Sequence, residues 1–190
     1  MDLVERLRNG EESALNELMQ LYGNELLRTA VLLVKDHYLA EEIVQDTFVT
    51  AFQKMEQLED GSKLKGWLVI ITVNGCRARM RKWSWKNIFL AKKEAAFNQL
   101  AETDPLPEAA LLTAQRNELL HKGIQSLAYH YREAITLFYF HELPIREISE
   151  MLQENENTVK TRIARGRRLL KDFLERGDED DEHERRAKES

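Results

Sequence analysis

Apolar positions along the chain recur at three- and four-residue intervals, in runs separated by polar turns. After Gly10, "EESALNELMQLYGNELLRTAVLLV" places Leu15, Leu18, Met19, Tyr22 and Leu26 on one side of a helix. "LAEEIVQDTFVTAFQKMEQL" predicts a second helix, with Ile43, Val44, Thr47, Phe48, Ala51, Phe52 and Met55 inward. Beyond the turn "EDGSK", the segment "LKGWLVIITVNGCRARMRK" predicts a third, apolar at Trp67, Leu68, Ile70, Ile71 and Val73, with Gly75 weakening an unbroken run. "EAAFNQLAETDPLP" then loses the pattern, and Pro105 and Pro107 discourage a continuous helix. Helical periodicity resumes in "EAALLTAQRNELLHKGIQSL" and "YHYREAITLFYFHEL". Strand-like alternation is scarce, and 3 prolines with 8 glycines are few for 190 residues. The expectation is an all-α protein: two small helical domains, 1–93 and 111–176, joined by a flexible linker at 94–110. The tail from 177 to 190, almost without apolar residues, is expected to be disordered.

The second domain ends in "LPIREISEMLQENENTVKTRIARGRRLLK". Pro144 can open a short helix carrying Ile145, Ile148, Met151 and Leu152, and "QENEN" breaks it. Asn157 is the expected N-cap of the next helix. On that helix Val159, Ile163, Gly166, Leu170 and Phe173 share one side. Lys160, Thr161, Ala164, Arg165, Arg168 and Lys171 share the other. Small and hydroxyl side chains among cations can reach phosphates and base edges, so the pair reads as a helix-turn-helix with a recognition helix. The alternative is a plain helical hairpin with a solvated basic face, but the run lacks the interleaved acids of such a surface.

Charge sharpens this picture. The formal net charge is −5, yet "CRARMRKWSWKNIFLAKK" contains no acid. Two basic islands therefore lie in an acidic chain, a distribution that favours nucleic acid where the net charge does not. Trp83, Trp85 and Phe89 interleave with cations in the first island, which suits either stacking on single-stranded bases or plugging the side of a small domain. The outer face of the second helix carries Glu42, Gln45, Asp46, Val49 and Gln53. An aliphatic residue among carboxylates and amides fits a partner-binding surface as well as a wet face. The lone Cys76 gives neither a disulfide nor a metal framework, and the 5 histidines lack metal-ligand spacing. No apolar stretch approaches a membrane span and no signal pattern opens the chain, so a non-membrane, cytoplasmic protein is expected. No catalytic signature is found; catalytic residues, metal and cofactor are all expected to be none.

"LAEEIVQDTFVTAFQKM", "LKGWLVIITVNGCRARMRK" and "YREAITLFYFHELPIREISEMLQENENTVKTRIARGRRLL", in this order and with a linker before the third, resemble bacterial RNA polymerase sigma factors of the extracytoplasmic-function (ECF) type, in the sigma-70 family. The resemblance runs from about Leu15 to Leu174. It implies a transcription initiation factor that binds core RNA polymerase, through the coiled coil of the largest subunit and the flap, and directs it to promoter DNA. Glu42, Gln45, Asp46 and Val49 would meet the polymerase. Asn74, Arg77, Arg81, Trp83 and Trp85 would engage the −10 element, where the family opens the duplex and holds a flipped base, while Trp67 would be mainly structural. Lys160, Thr161, Arg162, Ala164, Arg165 and Arg168 would read or grip the −35 element, with Arg167 beside them. Family members are commonly silenced by an anti-sigma factor, often membrane-anchored.

The chain departs from the family at several points. Leu64 stands where many relatives have Phe, Asn157 where Gly is common, and "VIITVN" lacks a Tyr-Arg often found after Trp-Leu, which implies an unusual promoter preference or a divergent member. Two rival readings are a stand-alone helix-turn-helix regulator and a helical adaptor that binds no DNA. "DEDDE", a few residues after the recognition helix, raises the hypothesis that the tail folds back to mask it.

Overall fold

The computed structural model describes residues 2–89 and 108–188, with side chains within 2–82 and 117–176. The chain divides into two compact units, Met1–Asn98 and Gln99–Ser190. The described residues are helical with short turns and contain no strand, as expected.

The first unit packs α2 (Glu12–Val34), α3 (His37–Gln53) and α4 (Leu64–Phe89) against one another, with the short α1 (Leu3–Arg8) laid on α2. α1 was not predicted: six residues supply only two core side chains, Val4 and Leu7, too few to show a period. Gly10, at φ +75°, makes the turn into α2 in a conformation that suits glycine. Lys35, in the left-handed region at φ 60°, ends α2, and the Asp36 side chain accepts from the Leu39 N–H at 3.0 Å to start α3. Leu18, Leu26, Leu33, Ile43, Phe48, Leu68 and Val73 fill the core, each contributing about 1.5–3 kcal/mol by leaving water. Met19, expected inward, is instead exposed, and Phe52 is only half-buried.

α3 and α4 run antiparallel. Ile43 lies against Gly75, Thr47 against Thr72, and the Glu42–Asp46 turn against Arg79. A Cβ on Gly75 would come 3.0 Å from the Ile43 side chain, so the glycine permits close approach rather than breaking the helix. The two threonine hydroxyls, 3.3 Å apart, also donate to the Ile43 and Leu68 carbonyls, so this buried polar pair is satisfied. α4 continues through the aromatic–basic stretch to Phe89, beyond the helix predicted as far as Lys82.

In the second unit, α5 (Glu108–Ser126), α6 (Tyr129–Ile135), α7 (Ile145–Leu152) and α8 (Glu156–Lys188) surround a core of Leu127, Ile135, Leu137, Ile148, Leu152, Val159 and Ile163. Arg132 is buried and donates to the Leu127 carbonyl at 2.6 Å, tying the start of α6 to the end of α5. A π turn, Thr136–Phe140, follows α6 and leaves Tyr139 and Phe140 exposed. Most of the expected linker lies outside the described residues, although Glu108–Ala110 already belong to α5. The tail differs from expectation: α8 runs on to Lys188 without a break, where disorder was expected from 177.

Candidate functional site

The turn between α7 and α8 is built by two backbone devices. Gln153 adopts the left-handed conformation at φ 54°, and the Glu154 N–H donates to the Ser149 carbonyl at 3.0 Å, closing α7. The Asn155 side chain then accepts from the Thr158 N–H at 2.7 Å and caps α8. Asn157, expected to be the cap, is instead inside the first turn. Both are asparagines in "ENEN", and only the backbone decides which one lies outside the helix.

Val159, Ile163 and Gly166 turn into the core, and a Cβ on Gly166 would stand 2.9 Å from Ile135 Cγ1. This lets α6 lie close beneath α8 and sets how far the opposite side stands out. Lys160, Thr161, Ala164, Arg165 and Arg168 are exposed on that side. Lys160 pairs loosely with Glu156 at 3.6 Å. Arg162 differs from its neighbours: it is half-buried, and Nη2 donates to Glu154 at 2.7 Å, tying the helix back to the turn. Its first task is to hold the motif together. His130 and Tyr131 of α6 form one wall of an open groove whose other side is made by Asn155, Asn157, Thr158, Thr161, Arg162 and Arg165.

On the first unit, Glu42, Gln45, Asp46 and Val49 are all exposed along α3, with Val49 54% exposed. Sequence reasoning missed their neighbour. Arg79 of α4 donates from Nη1 to Glu42 at 3.3 Å and from Nη2 to Asp46 at 3.0 Å, so one guanidinium serves two carboxylates a helical turn apart. Both carboxylates are well exposed and Arg79 is half-buried at the surface, so these pairs add little to stability. Their effect is on the charge of this exposed face, where two negative charges against one positive leave a single net negative charge among the three. Nothing in the one-dimensional pattern gives the α3–α4 register that brings them together.

Asn74 and Arg81 are exposed on the outer side of α4, and Arg77 is half-buried beside them. Trp83 and Trp85 fall within α4, but their side chains lie outside the described residues.

Family models place this arrangement. Sigma-70 region 2 matches residues 18–86 and sigma-70 region 4 matches residues 117–170. The chain belongs to the sigma-70 family. It is similar to the ECF RNA polymerase sigma factor SigW of Bacillus subtilis (strain 168), 27% identical over 177 residues, covering 90% of this chain and 94% of SigW. SigM of the same organism is 29% identical over 167 residues, covering 88% and 99% of the two chains. The sigma factor RpoE of Bartonella quintana, solved in complex with the anti-sigma factor NepR, superposes with a TM-score of 0.67 at 26% identity, covering 84% of this chain and 96% of that one. The protein is therefore a transcription initiation sigma factor of the ECF type, which directs RNA polymerase to promoters. Neither the stand-alone regulator nor the non-DNA adaptor is favoured. Among the described residues no helix is long and apolar enough to cross a membrane, and no cluster of side chains suits a metal ion.

Proposed function

We propose that this sigma factor divides its work between two exposed faces. The first domain, placed at 1–93, binds core polymerase through Glu42, Gln45, Asp46 and Val49 of α3. The same domain engages the −10 element through Asn74, Arg77, Arg81, Trp83 and Trp85 of α4. The second, placed at 111–176, reads the −35 element through Lys160, Thr161, Ala164, Arg165 and Arg168, with Arg162 bracing the turn. The observation that carries the reading is the pairing of opposite faces: an exposed acidic and amide stripe with an unburied valine on α3, and a cationic, hydroxyl-bearing face on α8. The first suits a basic protein helix and the second suits duplex DNA.

Strand opening in this scheme requires no catalysis or cofactor from the chain. Capture of the flipped base and displaced strand offsets the few kcal/mol of unstacking. The protein works in the cytoplasm, where its polymerase is found. Its regulatory partner is an anti-sigma factor, a proposal supported by the similar sigma factor solved with NepR.

Run-off transcription with the host's core polymerase on fragmented genomic DNA tests the scheme. The native chain is expected to create new start sites. Asp46→Arg, which places a second cation beside Arg79, should weaken core binding at least tenfold, roughly 1.4 kcal/mol or more, and abolish those starts. Starts that persist undiminished with Asp46→Arg would show that polymerase docks elsewhere.

A further inference from the structure

The scheme above gives no task to His130. This residue is exposed on α6, and its imidazole leans on the Tyr131 ring with centroids 4.0 Å apart and planes inclined at 55°. The contact restricts the ring, and His130 lines the groove. Across from it, Thr161 and Arg165 belong both to the groove wall and to the outward side of α8. A duplex gripped by those two residues therefore brings its sugar–phosphate edge to the mouth of the groove. The Arg165 guanidinium, the Thr158 hydroxyl and an imidazole line one open notch and are donors that a phosphate oxygen accepts from, while the Thr161 hydroxyl already donates to the Asn157 carbonyl at 2.8 Å.

We propose that the groove between α6 and α8 seats one backbone phosphate of duplex DNA, and that His130 grips it from the wall facing Arg165, making duplex binding proton-linked. The inference rests on the reading of α8 as the helix that enters the duplex. The charged groups across the groove from His130 are Arg162 and Arg165 of α8, with Arg162 already engaged by Glu154 of the turn; on its own helix His130 touches the Tyr131 ring. Burial, and then the Arg162 charge, hold the free imidazole below its usual 6.5. A seated phosphate adds negative charge and favours the imidazolium, so binding takes up a proton. Affinity should therefore rise as pH falls through the range between the pKa of the bound imidazole and that of the free one, and level off once the free ring is protonated as well.

The test uses the full chain and a short fluorescent duplex of arbitrary sequence, because a phosphate contact carries no sequence information. Anisotropy titrations at low salt compare about pH 5.5 with about pH 8. The wild type is expected to bind about threefold more tightly at the lower pH, the scale of one added ionic contact. His130→Gln should bind equally at both, and His130→Lys should bind tightly at both. The other histidines remain in every variant, so the difference belongs to His130.

If His130→Gln keeps the wild-type pH dependence, or His130→Lys is no tighter than His130→Gln at high pH, the inference fails. Arg165→Gln separates that failure from a wrong reading of α8. Weakening at both pH values upholds the helix as the duplex reader, whereas no weakening at either removes that reading and the phosphate seat with it.

Discussion

His121 carries a second consequence of protonation, confined to folding. It lies on α5, half-buried, with the Gln125 amide nitrogen 2.9 Å from its Nε2. The amide can only donate there, so the arrangement requires a neutral imidazole with an unprotonated Nε2. Burial pushes the imidazole below its usual 6.5, opposed by nearby Glu118. Below that value the unfolded chain binds more protons than the folded one, so stability decreases as pH falls. Thermal unfolding should therefore show a lower Tm near pH 5.5 than near pH 7.5, and His121→Gln should remove part of that difference. A Tm gap unchanged by the substitution would mean the ring is protonated without cost. The sequence offered His121 only as a histidine without metal spacing. Its setting depends on which α5 face the second unit covers, which a single helical run does not reveal.

Among the helices, the two glycines at Gly23 and Gly166 make opposite predictions from the same residue type. Gly23 lies inside α2 with nothing within 4 Å of an added Cβ, so Gly23→Ala should stabilise the first unit by about 0.5–1 kcal/mol through helix propensity. Gly166 in α8 faces Ile135 Cγ1 at 2.9 Å and Tyr131 Cβ at 3.4 Å. Ile135 is β-branched and stiff, and a Cβ atom moves only with its backbone, so Gly166→Ala should destabilise the second unit by about 1–3 kcal/mol despite the better propensity. Urea unfolding of the two variants measures both signs. Only Gly166 had a place in the helical period, on the core side with Val159 and Ile163. That is typical of what was legible: the long helices and the inner face of α8 followed from spacing that repeats over several turns. What escaped had no repetition to show it. α1 is too short for a period, the choice of Asn155 over Asn157 as cap is made by local backbone angles, and Arg79 meets Glu42 and Asp46 only through the register of two separate helices. Met19 stood at helical spacing yet is exposed beside a fully buried Leu18, because the side of α2 that its partners cover there is narrower than the apolar stripe.

Across the molecule, acid and base are segregated: the exposed stripe on α3 proposed to meet polymerase is negative, the side of α8 proposed to meet the duplex is positive, and the end of the chain is negative again. The segregation extends along α8 itself. A straight helix of 33 residues is about 50 Å long, and Asp178 stands 13 residues beyond Arg165, roughly 20 Å along the axis. At physiological ionic strength this is more than twice the screening length of about 8 Å. A rod cannot bend back over its own side, so the acidic end cannot mask the recognition face while α8 remains helical. Removing residues 177–190 should leave duplex affinity unchanged at physiological salt, and a clear gain would mean that the rod breaks in solution. The unbroken helix instead holds the acidic end clear of the proposed −35 contact, so a partner that grasped that end would compete for none of the residues proposed to touch DNA.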